Sequence, residues 1–231
     1  MPTVMVTGAN RGLGLEFSRQ YLGKGWKVLA TCREPEAAKT LQDLHSEFGD
    51  SLRVYSLDLS KQNDIEELKK EIEGEALDVL INNAGVYYGR SQSFGDINYD
   101  DWEKTMQVNL MAPVKMAEVF LENLLKGEKK CLVNITSLMG SITDNQGGGS
   151  YLYRSSKAAL NAVIKSISID LKNQGVIATV LHPGWVKTDM GGPNALISPE
   201  ESIQGMCKVI DQLTLEKSGK FFRYDGNEIP W

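Results

Sequence analysis

A glycine-bearing turn sits between a short apolar run, Val4-Met5-Val6, and a helix-period stretch that begins at Leu13. It reads Thr7-Gly8-Ala9-Asn10-Arg11-Gly12-Leu13-Gly14. Glycines at a strand–turn–helix junction permit a tight turn and let backbone N–H groups approach a pyrophosphate, whose charge then faces the helix N-terminus. A glycine trio by itself often merely ends a strand, so the junction around it carries the reading. The spacing is Gly-x3-Gly-x-Gly, which departs from the ordinary Gly-x-Gly-x2-Gly dinucleotide fingerprint.

The pattern after this turn repeats. Residues 26–31, 52–57, 77–81, 131–136 and 176–181 are apolar runs, Phe221-Phe222 is a last short one, and amphipathic helical stretches separate most of them. The runs are continuously apolar rather than alternating, as expected where helices cover both faces of a parallel sheet. Long helices are expected over 99–126 and 150–173, and long loops over 138–149 and 187–200. No Pro/Gly/Ser linker, repeat or low-complexity tract divides the 231 residues. The expectation is one α/β domain spanning 1–231, a doubly wound, Rossmann-type parallel sheet of about seven strands with helices on both faces.

Composition removes several function classes. A net charge of −5 without a Lys/Arg cluster argues against nucleic acid as a partner, and no stretch approaches the ~20 apolar residues of a membrane span. Cys32, Cys131 and Cys207 are odd in number and far apart, so neither a disulfide framework nor a zinc spacing is present. Met1-Pro2-Thr3 leads straight into the first strand without a basic region or cleavage site. A reducing, cytoplasmic location is expected. Two histidines, His45 and His182, leave little for a metal site or a Ser-His-Asp triad, and no metal is expected.

Tyr153 and Lys157 lie four apart on a predicted helix and share one face. A phenol is a poor base but a usable acid, and a nearby ammonium favours the phenolate. Tyr-x3-Lys alone is common; its place on the helix after the fifth strand of a glycine-turn fold gives it weight. Together with the Gly-x3-Gly-x-Gly turn, Asn82-Asn83-Ala84-Gly85, Asn109, Ser137 and Pro183-Gly184, it resembles the short-chain dehydrogenase/reductase family over residues 3 to about 190. Within that family, the run from His182 to Gly192 and the ending Tyr224-Asp225-Gly226…Pro230-Trp231 look like the sniffer-type carbonyl reductases and the C-factor proteins.

The resemblance implies an NADP(H)- or NAD(H)-dependent oxidoreductase. Gly8, Asn10, Arg11, Gly12 and Leu13 would cradle the pyrophosphate side. Asp58 with the Leu59 amide would contact adenine, and Asn83, Ala84 and Gly85 would line the adenine-ribose side, with Asn82 bracing the sheet. Pro183, Val186 and Thr188 would hold the nicotinamide carboxamide. After the second strand, Thr31-Cys32-Arg33 offers no carboxylate for a ribose 2′-hydroxyl, whereas Arg33, with Arg11 opposite, suits a 2′-phosphate. The balance favours NADP(H) over NAD(H).

For chemistry, the resemblance makes Tyr153 the proton donor to a nascent alkoxide, and Lys157 a partner of both Tyr153 and the nicotinamide ribose. Asn109 would bend its helix and join a proton relay. Ser137 would stabilise the oxyanion. Ser137 precedes Tyr153 by sixteen residues and Ser141 by the family's usual twelve. The strand-end phrase Ser137-Leu138-Met139-Gly140 favours Ser137, with Ser141 as a pocket or loop-capping residue. Trp185, Tyr87 and Met190 are candidates for the substrate pocket. The expected activity is reduction of a ketone, aldehyde or quinone, with a signalling or NADP(H)-sensing protein as the alternative. The stripe Met106, Leu110, Val114, Ala117, Leu121, Leu124 could be core or a dimer seam, and the resemblance implies a homodimer, or a tetramer.

Overall fold

The computed structural model describes residues 1–89 and 93–231. Its seven strands are β1 (Thr3–Thr7), β2 (Lys27–Cys32), β3 (Leu52–Ser56), β4 (Val79–Asn82), β5 (Cys131–Ile135), β6 (Ile177–His182) and β7 (Phe221–Arg223). They form one parallel sheet in the order β3-β2-β1-β4-β5-β6-β7. The order reverses between β1 and β4, and a crevice opens there at the carboxyl ends of the strands. Strands β1, β4 and β5 are buried along their whole length, which is why they read as unbroken apolar runs.

Helices cover both faces. On one side α1 (Gly12–Gly23), α2 (Lys39–Phe48) and α8 (Pro199–Asp211) pack on Val4, Val6, Val28, Ile81 and Val133. On the other, α3 (Gln62–Glu71), α5 (Ala112–Val119), α6 (Leu121–Lys126) and α7 (Tyr151–Asp170) enclose Met5, Leu29, Leu80, Leu132 and Ala178. Alternate residues of one strand thus feed two cores.

Three boundaries differ from the sequence expectation. The helical stretch between the second and third apolar runs begins with a 3-10 turn, Pro35–Ala37, before α2. The long helix over 99–126 is four pieces: α4 (Tyr99–Met106), a π-helical turn Gln107–Met111, α5 and α6. The break at Phe120, whose φ/ψ of −98°/10° leaves the helical region, separates the last two. Of the apolar stripe on these helices, Ala117 and Leu124 are core, with Leu110 and Leu121 packed against them, so the core reading holds for those four. Helix α8 is an addition. Ser198 caps it by accepting a hydrogen bond from the Glu201 N–H at 3.2 Å, and Pro199 sits at its first position. Ser-x-x-Glu with an adjoining Pro is a helix-start signal that the sequence does contain.

His182 ends β6 with a largely buried ring, and its Nδ1 has no partner among the described residues. Burial, reinforced by the Arg223 charge and opposed by Asp225, holds its pKa down at about 4 against an ordinary 6.5. Between those values the unfolded chain binds a proton that the folded chain does not, so stability rises from pH 4 to pH 6.5 and falls on acidification. His182→Gln removes the linkage. Chemical denaturation at pH 4.5 and pH 7 should show wild type losing roughly 2–3 kcal/mol more than the variant; equal losses would place the imidazole in water.

Candidate active site

The crevice at the strand-order reversal is a cleft of about 1250 Å³ that runs from the end of β2 to α7. Thr7, the last residue of β1, holds its base together. The Thr7 hydroxyl accepts hydrogen bonds from the Asn83 and Ala84 N–H groups at 3.0 and 3.1 Å. Asn83 answers with its side-chain amide, donating to the Thr7 and Gly8 carbonyls at 2.8 and 3.3 Å. The Asn82 amide is likewise spent on structure, donating to Asn134 Oδ1 and the Pro113 carbonyl. Both asparagines brace strand ends, and Asn83, Ala84 and Gly85 also line the cleft.

Two glycines of the turn have no room for a side chain. Gly8 has φ +66°, and a Cβ there would lie 3.0 Å from Ala84 Cβ; a Cβ on Gly14 would come within 2.2 Å of the Gly8 carbonyl oxygen. Arg11 precedes α1 in extended conformation without a side-chain cap, so the helix's first N–H groups face the cleft beside Gly8, Asn10, Gly12 and Leu13. A cradle that a Cβ would fill, at an uncapped helix N-terminus, fits a pyrophosphate. Arg11 itself pairs with Asp189 at 2.5 Å, both well exposed, which links the turn to the loop after β6. Arg11 lines the cleft as expected, but with a carboxylate partner, Asp189, that lies 178 residues away, where local reading does not reach.

At the other end, Thr31, Cys32 and Arg33 line the cleft with Asp58 and Leu59. Arg33 enters no ion pair among the described residues. Asp58 caps no helix: its carboxylate accepts from Ser60 N–H and Oγ–H at 3.0 and 2.8 Å in a local turn. Burial raises the Asp58 pKa, but these bonds and the Lys61 and Arg33 charges outweigh it, leaving the carboxyl below its ordinary value.

Tyr153 and Lys157 line the cleft on the α7 side. Lys157 is 4% exposed, and its ammonium donates to the Ile135 carbonyl at the end of β5 at 2.8 Å. Burial lowers its pKa to about 8. Its Nζ stands 5.8 Å from the Tyr153 ring centre, and the Tyr87 ring stacks on that of Tyr153, with ring centres 4.2 Å apart. Tyr151, six residues before Lys157 and so off its face of the helix, lies edge-on to Phe94.

Asn109 lies in the π-helical turn and is fully buried, contrary to the usual solvent-facing mid-helix asparagine. It accepts from the Val86 N–H at 2.8 Å and donates to the Val86 carbonyl at 2.9 Å and to Ser156 Oγ at 3.1 Å. The inserted residue of a π turn, a feature frequent at functional sites, aims this amide inward. A Cβ on Gly85 would lie 3.3 Å from Asn109 Oδ1 and 3.5 Å from Lys157 Nζ, so one small open spot faces both groups.

The two serines part company. Ser137 leaves β5 in extended conformation and, among the described residues, accepts only the Met139 N–H, at 3.2 Å. Ser141 is buried, donates to the Pro230 carbonyl at 2.7 Å and accepts the Asp144 N–H at 3.2 Å. Past β6, Pro183, Lys187, Thr188, Asp189 and Met190 line the cleft, whereas Val186 is buried behind them. Among the described residues, no group of three His, Cys, Asp or Glu could hold a metal, and no helix is long and apolar enough to cross a membrane.

Known proteins resemble this arrangement closely. The C-signal protein of Myxococcus xanthus is 46% identical over 155 residues, covering 67% of this chain and 93% of that one. The carbonyl reductase Sniffer of D. melanogaster superposes with a TM-score of 0.95 at 35% identity, over all of both chains. An NADPH-bound carbonyl reductase from chicken fatty liver superposes at 0.92 with 34% identity, covering 100% of this chain and 99% of that one. The sequence model of the short chain dehydrogenase family matches residues 2–196, and the chain belongs to that family.

Proposed function

We propose that the chain is an NADPH-dependent reductase of a small ketone, aldehyde or quinone. The observation that carries the reading is the placement of Tyr153 and the buried Lys157 on one wall of a cleft whose far end is lined by Arg33. The NADPH-bound carbonyl reductase at 34% identity supports the same cofactor. When bound, NADPH supplies a hydride to the carbonyl carbon and leaves as NADP+.

Tyr153 gives its phenolic proton to the carbonyl oxygen as the hydride arrives, so the C=O becomes CH–OH and the phenolate is reprotonated from water. The Lys157 ammonium stabilises that phenolate and would hold the nicotinamide ribose of a bound cofactor. Asn109 Oδ1 and Lys157 Nζ together face the spot where a water would relay the replacement proton. Ser137 Oγ–H donates to the carbonyl oxygen and offsets its developing charge. Ser141, committed at both ends, is not available for that role. Pro183 and Thr188, with the Val186 backbone, would hold the nicotinamide side, and Asp58 and Leu59 would contact adenine.

The same proposal covers a homodimer, to be checked by light scattering. It also covers a reducing, cytoplasmic location, consistent with three free, buried cysteines. The similarity to the C-signal protein favours a second reading, a signalling or NADP(H)-sensing role, in which proton transfer by Tyr153 would be dispensable.

Three variants test the assignments. Tyr153→Phe removes one oxygen and should lower turnover ~10²–10⁴-fold, the usual worth of general acid catalysis, with NADPH affinity nearly unchanged in a fluorescence titration. Lys157→Met should lose both activity and cofactor affinity. Near-native turnover by Tyr153→Phe would assign the proton to another group. Arg33→Asp should erode NADPH selectivity by about the 1.5–3 kcal/mol of one charge-assisted bond, read as the ratio of kcat/KM for NADPH and NADH; an unchanged ratio would remove Arg33 from the 2′-phosphate site.

A further inference from the structure

The chemistry proposed above uses nothing beyond Thr188, yet the ending from Tyr224 to Trp231 is as closely built as the cleft. After β7 the chain turns at Asp225, whose carboxylate pairs with Arg223 and accepts from the Asn227 N–H at 3.2 Å. It then runs back beside β7. Arg223 N–H donates to the Asn227 carbonyl at 2.8 Å, Ile229 N–H donates to the Phe221 carbonyl at 2.7 Å, and Ile229 is buried.

The last two residues then reach the loop after β5. The Pro230 carbonyl accepts the Ser141 hydroxyl at 2.7 Å. The Trp231 carbonyl accepts both Thr143 Oγ–H, at 3.0 Å, and Thr143 N–H, at 3.3 Å. The Trp231 ring lies beside Phe221, with centres 5.7 Å apart.

The loop so held, 137–150, is the covalent link between Ser137 and the start of α7, two residues before Tyr153. Its remainder is not packed against other elements: Cβ atoms on Gly147 and Gly148 would meet nothing within 4 Å. At its end Ser150 is held in the left-handed region, φ 47°, with its Oγ 2.8 Å from the Tyr87 hydroxyl. Three hydrogen bonds donated to the tail carbonyls therefore hold residues 141–143, the part of the loop away from the glycines.

We propose that the C-terminal segment is a clamp that sets the 137–150 loop, with Ser141, Pro230 and Trp231 as positioning residues that hold Ser137 and Tyr153 in register on the substrate carbonyl. This rests on the reductase reading. It also accounts for a serine at the twelve-residue spacing: its hydroxyl seats the tail.

Trp231 is partly exposed, so Trp231→Ala leaves the fold intact while loosening the clamp. Hydrogen–deuterium exchange of the full chain should show faster exchange over 141–146, including the Thr143 amide. The carbonyl KM should rise, and kcat/KM should fall roughly 10- to 100-fold, the scale of a small misplacement of reacting groups. NADPH affinity should not change, and Trp231→Phe, which keeps an aromatic ring beside Phe221, should restore both readouts. A merely smaller folded fraction would lower kcat and leave KM alone. Unchanged exchange over 141–146, or faster exchange with wild-type KM and kcat, overturns the clamp. If wild type reduces no carbonyl, the reductase reading fails and the positioning role falls with it, whatever the exchange shows.

Discussion

The hydrogen-bonded knot between Thr7 and Asn83 is the constraint from which the rest of the site follows. A parallel sheet whose strand order reverses must leave two strand ends diverging, and their backbone N–H and C=O groups must be satisfied without closing the gap. Thr7 does this with one hydroxyl for two N–H groups, and Asn83 with one amide for two carbonyls. Replacing the hydroxyl by a methyl would strand two donors at a cost of ~1–3 kcal/mol each, a large part of a domain's net stability. Gly8 and Gly14 are then dictated by clearance, because the bonded β4 end lies where their Cβ atoms would be.

Electrostatically the cleft divides into two regions with different physics. Around Arg33 the charges are exposed, and a cation there acts as an available donor to an anion. Around Lys157 the charge is buried, and desolvation brings its pKa to about 8. Its link to the Ile135 carbonyl ties the ammonium to the end of β5. The π turn serves the same region. A regular helix would carry Asn109 past the cleft, whereas the inserted residue turns its amide onto Val86 and toward Lys157.

The centre of the sheet was legible because β1, β4 and β5 are buried along their whole length and read as unbroken apolar runs, whereas β3, at the sheet edge, exposes Arg53 and Ser56. The glycine turn and Tyr153 with Lys157 were legible because their spacing is local. Three features escaped for definable reasons. The split of 99–126 depends on a π turn, which changes hydrogen-bond register without interrupting the apolar pattern. Helix α8 was passed over although Ser198, Pro199 and Glu201 mark its start, since the preceding long loop masked the change of period. Arg11–Asp189 and Ser141–Pro230 join residues 178 and 89 positions apart, and no periodicity reports such contacts. Ser137 and Ser141 were separable in the sequence by strand-end register alone, because the bond that commits Ser141 reaches Pro230, 89 positions on.

The central claim is that one cleft orients a phosphorylated dinucleotide between Arg33 and Lys157 with Tyr153 at the reacting end. A crystal structure of the chain with NADP+ tests it most directly. The account predicts the pyrophosphate over the first turn of α1, the 2′-phosphate within hydrogen-bond distance of the Arg33 guanidinium, and the nicotinamide ribose within reach of Lys157 Nζ. A dinucleotide bound in the reverse direction, or with its 2′-phosphate in solvent away from Arg33, would contradict it.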